Sequence, residues 1–189
     1  AGAFFKPVSG FEAPDWFCDT SEAVTSPEQG PLSWGKEKWF HNWAREHAAV
    51  RSQVGLIDMS FMAKFIVQGS DAGAALNFLS TANVDGESGR ITYTQWLDDD
   101  GLVQADVTVA KQEHDEGFLV VATDTMNGRV EAYLRRQLSK WPNAFVTNVT
   151  GGLAQINLQG PESRRLLQSI TQADLSNKAF PFRDFRHID

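Results

Sequence analysis

Tyr93 and Asp106 are the two residues of this 189-residue sequence whose types and spacing most readily combine into chemistry. Asp106 lies in an alternating stretch: Val103, Ala105, Val107 and Val109 make one apolar face of a strand over 102–109, and Leu102, Gln104, Asp106 and Thr108 make the other. Residues 90–97 read as a preceding strand, and Asp98-Asp99-Asp100-Gly101 between them is a hairpin signal. A two-residue loop at Asp100-Gly101 sets Gln95 opposite Asp106, with Tyr93 its diagonal neighbour at roughly 7–8 Å. A four-residue loop over 98–101 sets Tyr93 directly opposite. Both keep phenol and carboxylate on one side of the sheet, whereas a three- or five-residue loop separates them. A phenol stacks or hydrogen-bonds and a carboxylate takes a proton or holds an amine, so together they can wall a ligand. The commoner meaning of such a face is a hydrated sheet surface. Burial of Asp106 beside an aromatic would raise its pKa and make it a base.

Other chemistries find no footing. The sequence lacks G-x-x-x-x-G-K-[ST], a G-x-G-x-x-G after a strand, and G-x-S-x-G. The four histidines (His41, His47, His114, His187) contain no helical ligand pair, so no metal is expected. His41 and His47 read as residues of a partly exposed helix and His114 as a loop residue. Asp98-Asp99-Asp100 lacks the glutamate of a calcium loop and reads as a turn. By pattern alone Met62 belongs to a core, and Arg90, Arg129, Arg135 and Arg136 to solvent or ion pairs.

The elements that must position the pair follow from periodicity. Residues 1–36 are punctuated by Gly2, Gly10, Gly30, Gly35, Pro7, Pro14, Pro27 and Pro31, and read as an irregular, aromatic-rich arm lying against a body. Residues 37–52 take helical spacing, with Trp39, Trp43, His47 and Val50 on one face. A strand over 61–68 leads to a short helix over 72–79, capped at Ser70-Asp71. After the hairpin, the apolar run 118–122 is expected to be a central strand covered on both faces. Asp124 is expected to cap a helix over 126–138. Strands over 145–149 and 153–158 follow, and Gly160-Pro161 opens a last helix through 167. The pattern predicts an α+β fold of sheets with packed helices.

Composition sets the outer limits. Seventeen Lys+Arg against 24 Asp+Glu give a net charge of −7, which argues against a nucleic-acid footprint or a polybasic membrane face. No apolar run approaches the roughly 20 residues of a membrane span. The single cysteine, Cys18, cannot make an internal disulfide, which fits a reducing compartment; bacterial cytoplasm and mitochondrial matrix both stay open. Asn148-Val149-Thr150 is read as a chance sequon. A chain opening at Ala1 rather than methionine is expected to be a piece of something longer.

Read together, the blocks WAREHAAVRSQVGLIDMSFMAKFIVQGSDA (43–72), GRITYTQWLDDDGLVQADVTV (89–109), FLVVATD (118–124) and LAQINLQGPESRRLL (153–167) resemble the folate-binding domain of the aminomethyltransferase, or glycine-cleavage T-protein, family. AGAFFKPVSGFEAPDWF (1–17) is similar to the segment preceding that domain in the sarcosine and dimethylglycine dehydrogenases. The resemblance implies the α+β fold of that domain's N-terminal portion: an arm (1–36) following a flavin domain outside this sequence, then a C-terminally truncated folate domain (37–189). It implies tetrahydrofolate as the cofactor here, FAD in the upstream domain, and that flavin domain as partner. The activity implied is capture of a one-carbon unit from oxidative demethylation of an N-methyl amine, giving 5,10-methylenetetrahydrofolate. Asp106 matches the aspartate near folate N10 that assists proton transfer or positions the amine. Tyr93 matches the tyrosine lining the folate, Met62 the methionine of D-x-S-x-M, and Val120 falls at the apolar wall of the later strand. The second tyrosine of some members is Ala110 here, and the pterin-gripping glutamate would lie beyond Asp189. A non-catalytic binding or regulatory module of the same fold, or a glycine-cleavage aminomethyltransferase, are the alternatives.

Overall fold

A computed structural model of the chain describes residues 3–8, 11–17, 35–37, 39–113 and 117–188. They fall into two units, residues 1–57 with 158–163, and residues 58–157 with 164–189.

In the first unit, part of the expected irregular arm is an antiparallel hairpin of β1 (Ala3–Val8) and β2 (Phe11–Phe17), with its register shifted between Phe4 and Phe5. The Phe4 and Trp16 rings meet at 6.0 Å, and a cross-strand aromatic pair of this kind stabilises a ribbon. Pro7 and Pro14 are tolerated because a two-stranded ribbon leaves an outer edge on each strand where no N–H is required. Residues 18–34, including Cys18, lie outside the described residues. The helix α1 (Phe40–Ser52) follows. Its Trp43 and His47 rings stack at 5.7 Å one turn apart, and Trp43 remains 50% exposed; the residue that α1 buries is Asn42. Both His41 and His47 are exposed, as a partly exposed helix requires. A short strand, β3 (Gly55–Asp58), was not evident from the spacing.

The second unit is built on one sheet. Its strands are β4 (Ala63–Gln68), β5 (Arg90–Leu97), β6 (Val103–Lys111), β7 (Phe118–Ala122) and β8 (Phe145–Asn148), in the order β5-β6-β7-β4-β8, every neighbour antiparallel. Phe61 and Met62 are excluded from β4 because the chain turns there, Met62 N–H donating to Met59 O at 2.9 Å. The helices are α2 (Ala72–Leu79), α3 (Asn127–Leu138) and the short α4 (Ser163–Gln168). The expected caps are absent. The Asp71 carboxylate accepts the Asn143 N–H at 3.0 Å instead, and Asp124 opens a 3-10 turn that precedes α3. The strand expected over 153–158 is β9 (Ile156–Gln159), because the N–H groups of Gly152 and Leu153 both fold back to Val149 O. No helix of the described residues is long and apolar enough to cross a membrane.

Alternation divides the sheet. One face carries Thr94, Trp96, Val107, Val109, Val120 and Phe65, each 1% exposed or less, packed with Leu76 of α2 and Val130 and Leu134 of α3. Trp96 stacks on Tyr133 with centroids 6.0 Å apart, and its indole N–H donates to Ser80 Oγ at 3.0 Å. The opposite face carries Tyr93, Gln95, Asp106, Thr108 and Val121 and is only partly covered. The third strand in the order, β7, is therefore central, with Phe118, Val120 and Ala122 buried and Leu119 and Val121 half-buried.

Two glycines separate conformational strain from collision. Gly101 has φ +79 and open space where a Cβ would stand, whereas Gly69 has φ +112 and a Cβ there would collide with the backbone carbonyl of Asn143. Gly101→Ala is expected to lose about 1–2 kcal/mol, the usual penalty for a left-handed alanine. Gly69→Ala should lose more, since backbone must also move. Urea denaturation of both variants checks this; equal losses would contradict it.

Candidate functional site

The β5–β6 hairpin brings the predicted pair together by a route the loop arithmetic did not include. At its tip Asp98 N–H donates to Leu102 O and Gly101 N–H to Asp98 O, each at 3.0 Å, closing a three-residue loop over 99–101. Such a loop should have set Tyr93 and Asp106 on opposite faces. The register then shifts between Trp96 and Leu97: Leu97 pairs with Val103 but Trp96 with Ala105, leaving Gln104 as an extra residue in β6. This β-bulge restores the alternation, so Gln95 faces Asp106 and Tyr93 faces Thr108. A three-residue loop with its last residue in the left-handed region, here Gly101, is a favoured hairpin connection.

Asp98 fixes this geometry. Its Oδ1 accepts the N–H groups of Asp100 and Leu102 at 3.0 and 2.8 Å, and its Oδ2 accepts Gln104 Nε2 at 2.7 Å. Arg129 of α3 donates to Gln104 Oε1 at 3.0 Å. The Asp98 carboxylate thus holds turn and bulge together, and no group of His, Cys, Asp or Glu that could hold a metal occurs among the described residues.

At the pair itself, Tyr93 Oη donates to Asp106 Oδ2 at 2.6 Å, while Gln95 Nε2 reaches Oδ1 at 3.5 Å. Oδ2 is therefore engaged by a short charge-assisted bond, and Oδ1, met by Gln95 only at the long limit, keeps a lone pair for a further donor. The bond to Asp106 raises the Tyr93 phenol above its ordinary 10.0, with desolvation and the carboxylate's charge adding to it. Asp106 is exposed, so the burial beside an aromatic that the sequence left open is not present. Tyr93 is 55% exposed and lines a hollow of about 390 Å³, floored by Ile91 and Thr108 and walled by Arg164 and the segment Phe180–Asp184.

The other expected site residues lie elsewhere. Val120 pairs with Val109 and Phe65 on the helix-covered face and is fully buried, so it is a core residue. Its neighbour Val121, opposite Thr108, occupies the open face. Met62 is half-buried in the turn before β4, two strands beyond β6 in the sheet order. Spacing gave no warning of Lys64, which lies in the cross-sheet row Tyr93, Thr108, Val121, Lys64 and is 3% exposed. Its ammonium donates to the carbonyls of Ser60 and Met62 at 2.8 and 2.7 Å, so it ties down the turn that carries Met62. Burial pushes the Lys64 pKa down, with Asp58 opposing; hydrogen bonds from Ser60 hold Asp58 below its ordinary value. A lysine inside an apolar strand was the one available sign. Arg164 and Phe180–Asp184 join through tertiary contacts that no local pattern encodes.

The phenol offers a direct check. Only Tyr93 and Tyr133 can form tyrosinate. In a Tyr133→Phe background, ultraviolet titration should give a Tyr93 pKa above 10.0 that falls on Asp106→Asn. The raised value means this bond stabilises the fold below the unfolded phenol's pKa and is lost as pH rises through the folded one. An unchanged titration in Asp106→Asn would contradict the bond.

The family model described as the GCVT N-terminal domain matches residues 1–189. The chain is 35% identical over 188 residues to 4-methylaminobutanoate oxidase (formaldehyde-forming) of Paenarthrobacter nicotinovorans, covering 100% of this chain and 22% of that protein. It is 29% identical over 174 residues to mitochondrial dimethylglycine dehydrogenase of Rattus norvegicus, covering 92% of this chain and 20% of that one. Among solved structures, glycine cleavage system aminomethyltransferase T from Bartonella henselae superposes with a TM-score of 0.67 at 21% identity, covering 89% of this chain and 40% of the other, a likeness of fold. The chain thus spans about a fifth of the length of the oxidase and dehydrogenase it matches. Over its whole length, the chain belongs to the GCVT N-terminal domain family.

Proposed function

We propose that this chain is the tetrahydrofolate-binding part of a flavin-dependent enzyme that oxidises an N-methyl amine of the sarcosine or dimethylglycine type, and that it receives the released one-carbon unit. The observation that carries the reading is the 2.6 Å bond between Tyr93 and Asp106 beside an aromatic-lined hollow. Family membership and relatives named for oxidation of methylated amines support it.

The residues fit such a ligand. The hollow's about 390 Å³ lies in the range of small-molecule sites and accommodates part of a folate, with Tyr93, Phe180 and Phe182 offering ring faces and edges. Bound tetrahydrofolate supplies the ring and aryl amine nitrogens that take up a carbon at the oxidation level of formaldehyde. Asp106 Oδ1 accepts the N–H of the nitrogen that attacks that carbon and takes the proton it releases, so positive charge does not build up on the ligand. Tyr93 holds Oδ2 and fixes the carboxylate's rotation, presenting its aromatic face to the ligand. Lys64 secures the Met62 turn at the far side of the same face. FAD would be held in sequence outside this chain, and no residue here is assigned to it.

The test uses the natural full-length chain carrying this sequence, with flavin reduction and 5,10-methylenetetrahydrofolate formation followed separately. Asp106→Ala should leave amine oxidation intact and slow folate-coupled capture about 10²–10⁴-fold, the usual contribution of a positioned acid or base. Unchanged capture would assign the fold to a non-catalytic module instead.

A further inference from the structure

The core requires an extra residue in β6, but it does not say which residue that must be. With the three-residue loop alone, Val107 and Val109 would turn away from the helices, and one unpaired residue anywhere ahead of Val107 brings them back. Were that residue Asp106 instead of Gln104, every pair from Thr94–Val107 onward would stay as it is. Only Ala105 would leave the buried face, with Gln104 drawn into its place opposite Trp96. A single methyl group is little to hold the choice. For the site the choice is decisive, because an unpaired Asp106 no longer faces Gln95 and its carboxylate turns away from Tyr93.

A polar bridge separates the two arrangements. The Gln104 side chain reaches toward α3, where its amide lies between two charges. Its Nε2 donates to Asp98 Oδ2 at 2.7 Å, and its Oε1 accepts from Arg129 at 3.0 Å. One neighbour can only accept and the other can only donate, so the amide fits in a single orientation. Asp98 is itself anchored to the loop by the N–H groups of Asp100 and Leu102. Moving the extra residue to Asp106 carries Gln104 one residue away from this anchor and breaks the bridge.

Resting on the reading of Asp106 as the group that meets the folate, we propose that Gln104, held between Asp98 and Arg129 of α3, is a positioning residue for one-carbon capture. It touches no ligand; it fixes the bulge where Asp106 faces outward beside Tyr93. A helix that covers the opposite side of the sheet thereby takes part in the geometry of the site.

Reversing the polarity of the bridge in the natural full-length chain tests this. Asp98→Asn keeps an oxygen for the two loop N–H groups but turns its amide nitrogen onto Gln104 Nε2, donor against donor; Gln104→Glu sets a carboxylate against Asp98. Each alone should slow folate-coupled capture about 10²-fold, the cost of a misplacement of roughly 1 Å, with amine oxidation unchanged. In the combined variant the new amide donates to the new carboxylate, which also takes Arg129, so most of the lost rate should return. In a Tyr133→Phe background the Tyr93 phenol should titrate lower in each single variant and recover in the combined one. Single variants that capture like wild type, a combined variant no faster than the slower single, or a Tyr93 titration that neither single moves would each overturn this inference while Asp106→Ala still slows capture. If Asp106→Ala captures at the wild-type rate, the folate reading fails and this one with it.

Discussion

A phenol and a carboxylate meet at 2.6 Å because one extra residue, Gln104, sits in β6. Side chains of a strand alternate with a period of two, so a register error of one residue would turn Asp106 into the helix-covered core and leave Tyr93 without its acceptor. The three-residue loop supplies such an error and the bulge cancels it. What keeps the two in step is the Asp98 carboxylate, which bonds the loop through Asp100 and Leu102 and the bulge through Gln104. Bulges recur near functional sites because they re-aim side chains, and this one does so for a whole strand face.

The sheet carries two different environments back to back. On one face Trp96, Phe65, Val107 and Val120 are sealed beneath α2 and α3, and this burial is the main stabilising contribution within the unit. The rigidity it gives the strands is what allows the other face to stay half-open and polar. Lys64 shows what that arrangement demands: a cation taken almost wholly out of water, kept tolerable by two backbone carbonyls of the turn it holds.

What could be read from the amino-acid order divides along physical lines. Strands and helices with a clear period, such as β5, β6, β7, α2 and α3, lie close to where their spacing places them, because burial of one face dictates the pattern. The shared face of Tyr93 and Asp106 was legible too, although through a loop and bulge that compensate each other. Val120 lies on the helix-covered face and Val121, of the same chemistry, on the face that carries Tyr93 and Asp106; only pairing with Thr108 tells the two apart. The β1–β2 hairpin was hidden by Pro7 and Pro14, which a ribbon with free edges accepts. Arg183 carries no local signal at all, since its place depends on pairing with a strand more than ninety residues earlier, as the 94-residue separation of Arg90 and Asp184 illustrates.

If Tyr93 and Asp106 act as one unit on the ligand, their contributions cannot be independent. A double-mutant cycle on tetrahydrofolate affinity in the natural full-length chain, using Tyr93→Phe, Asp106→Asn and the combined variant, measures this directly. The account predicts strong coupling, with the combined variant binding little worse than Asp106→Asn alone. Losses that simply add would mean the two groups meet the ligand separately, or not at all, and would contradict it.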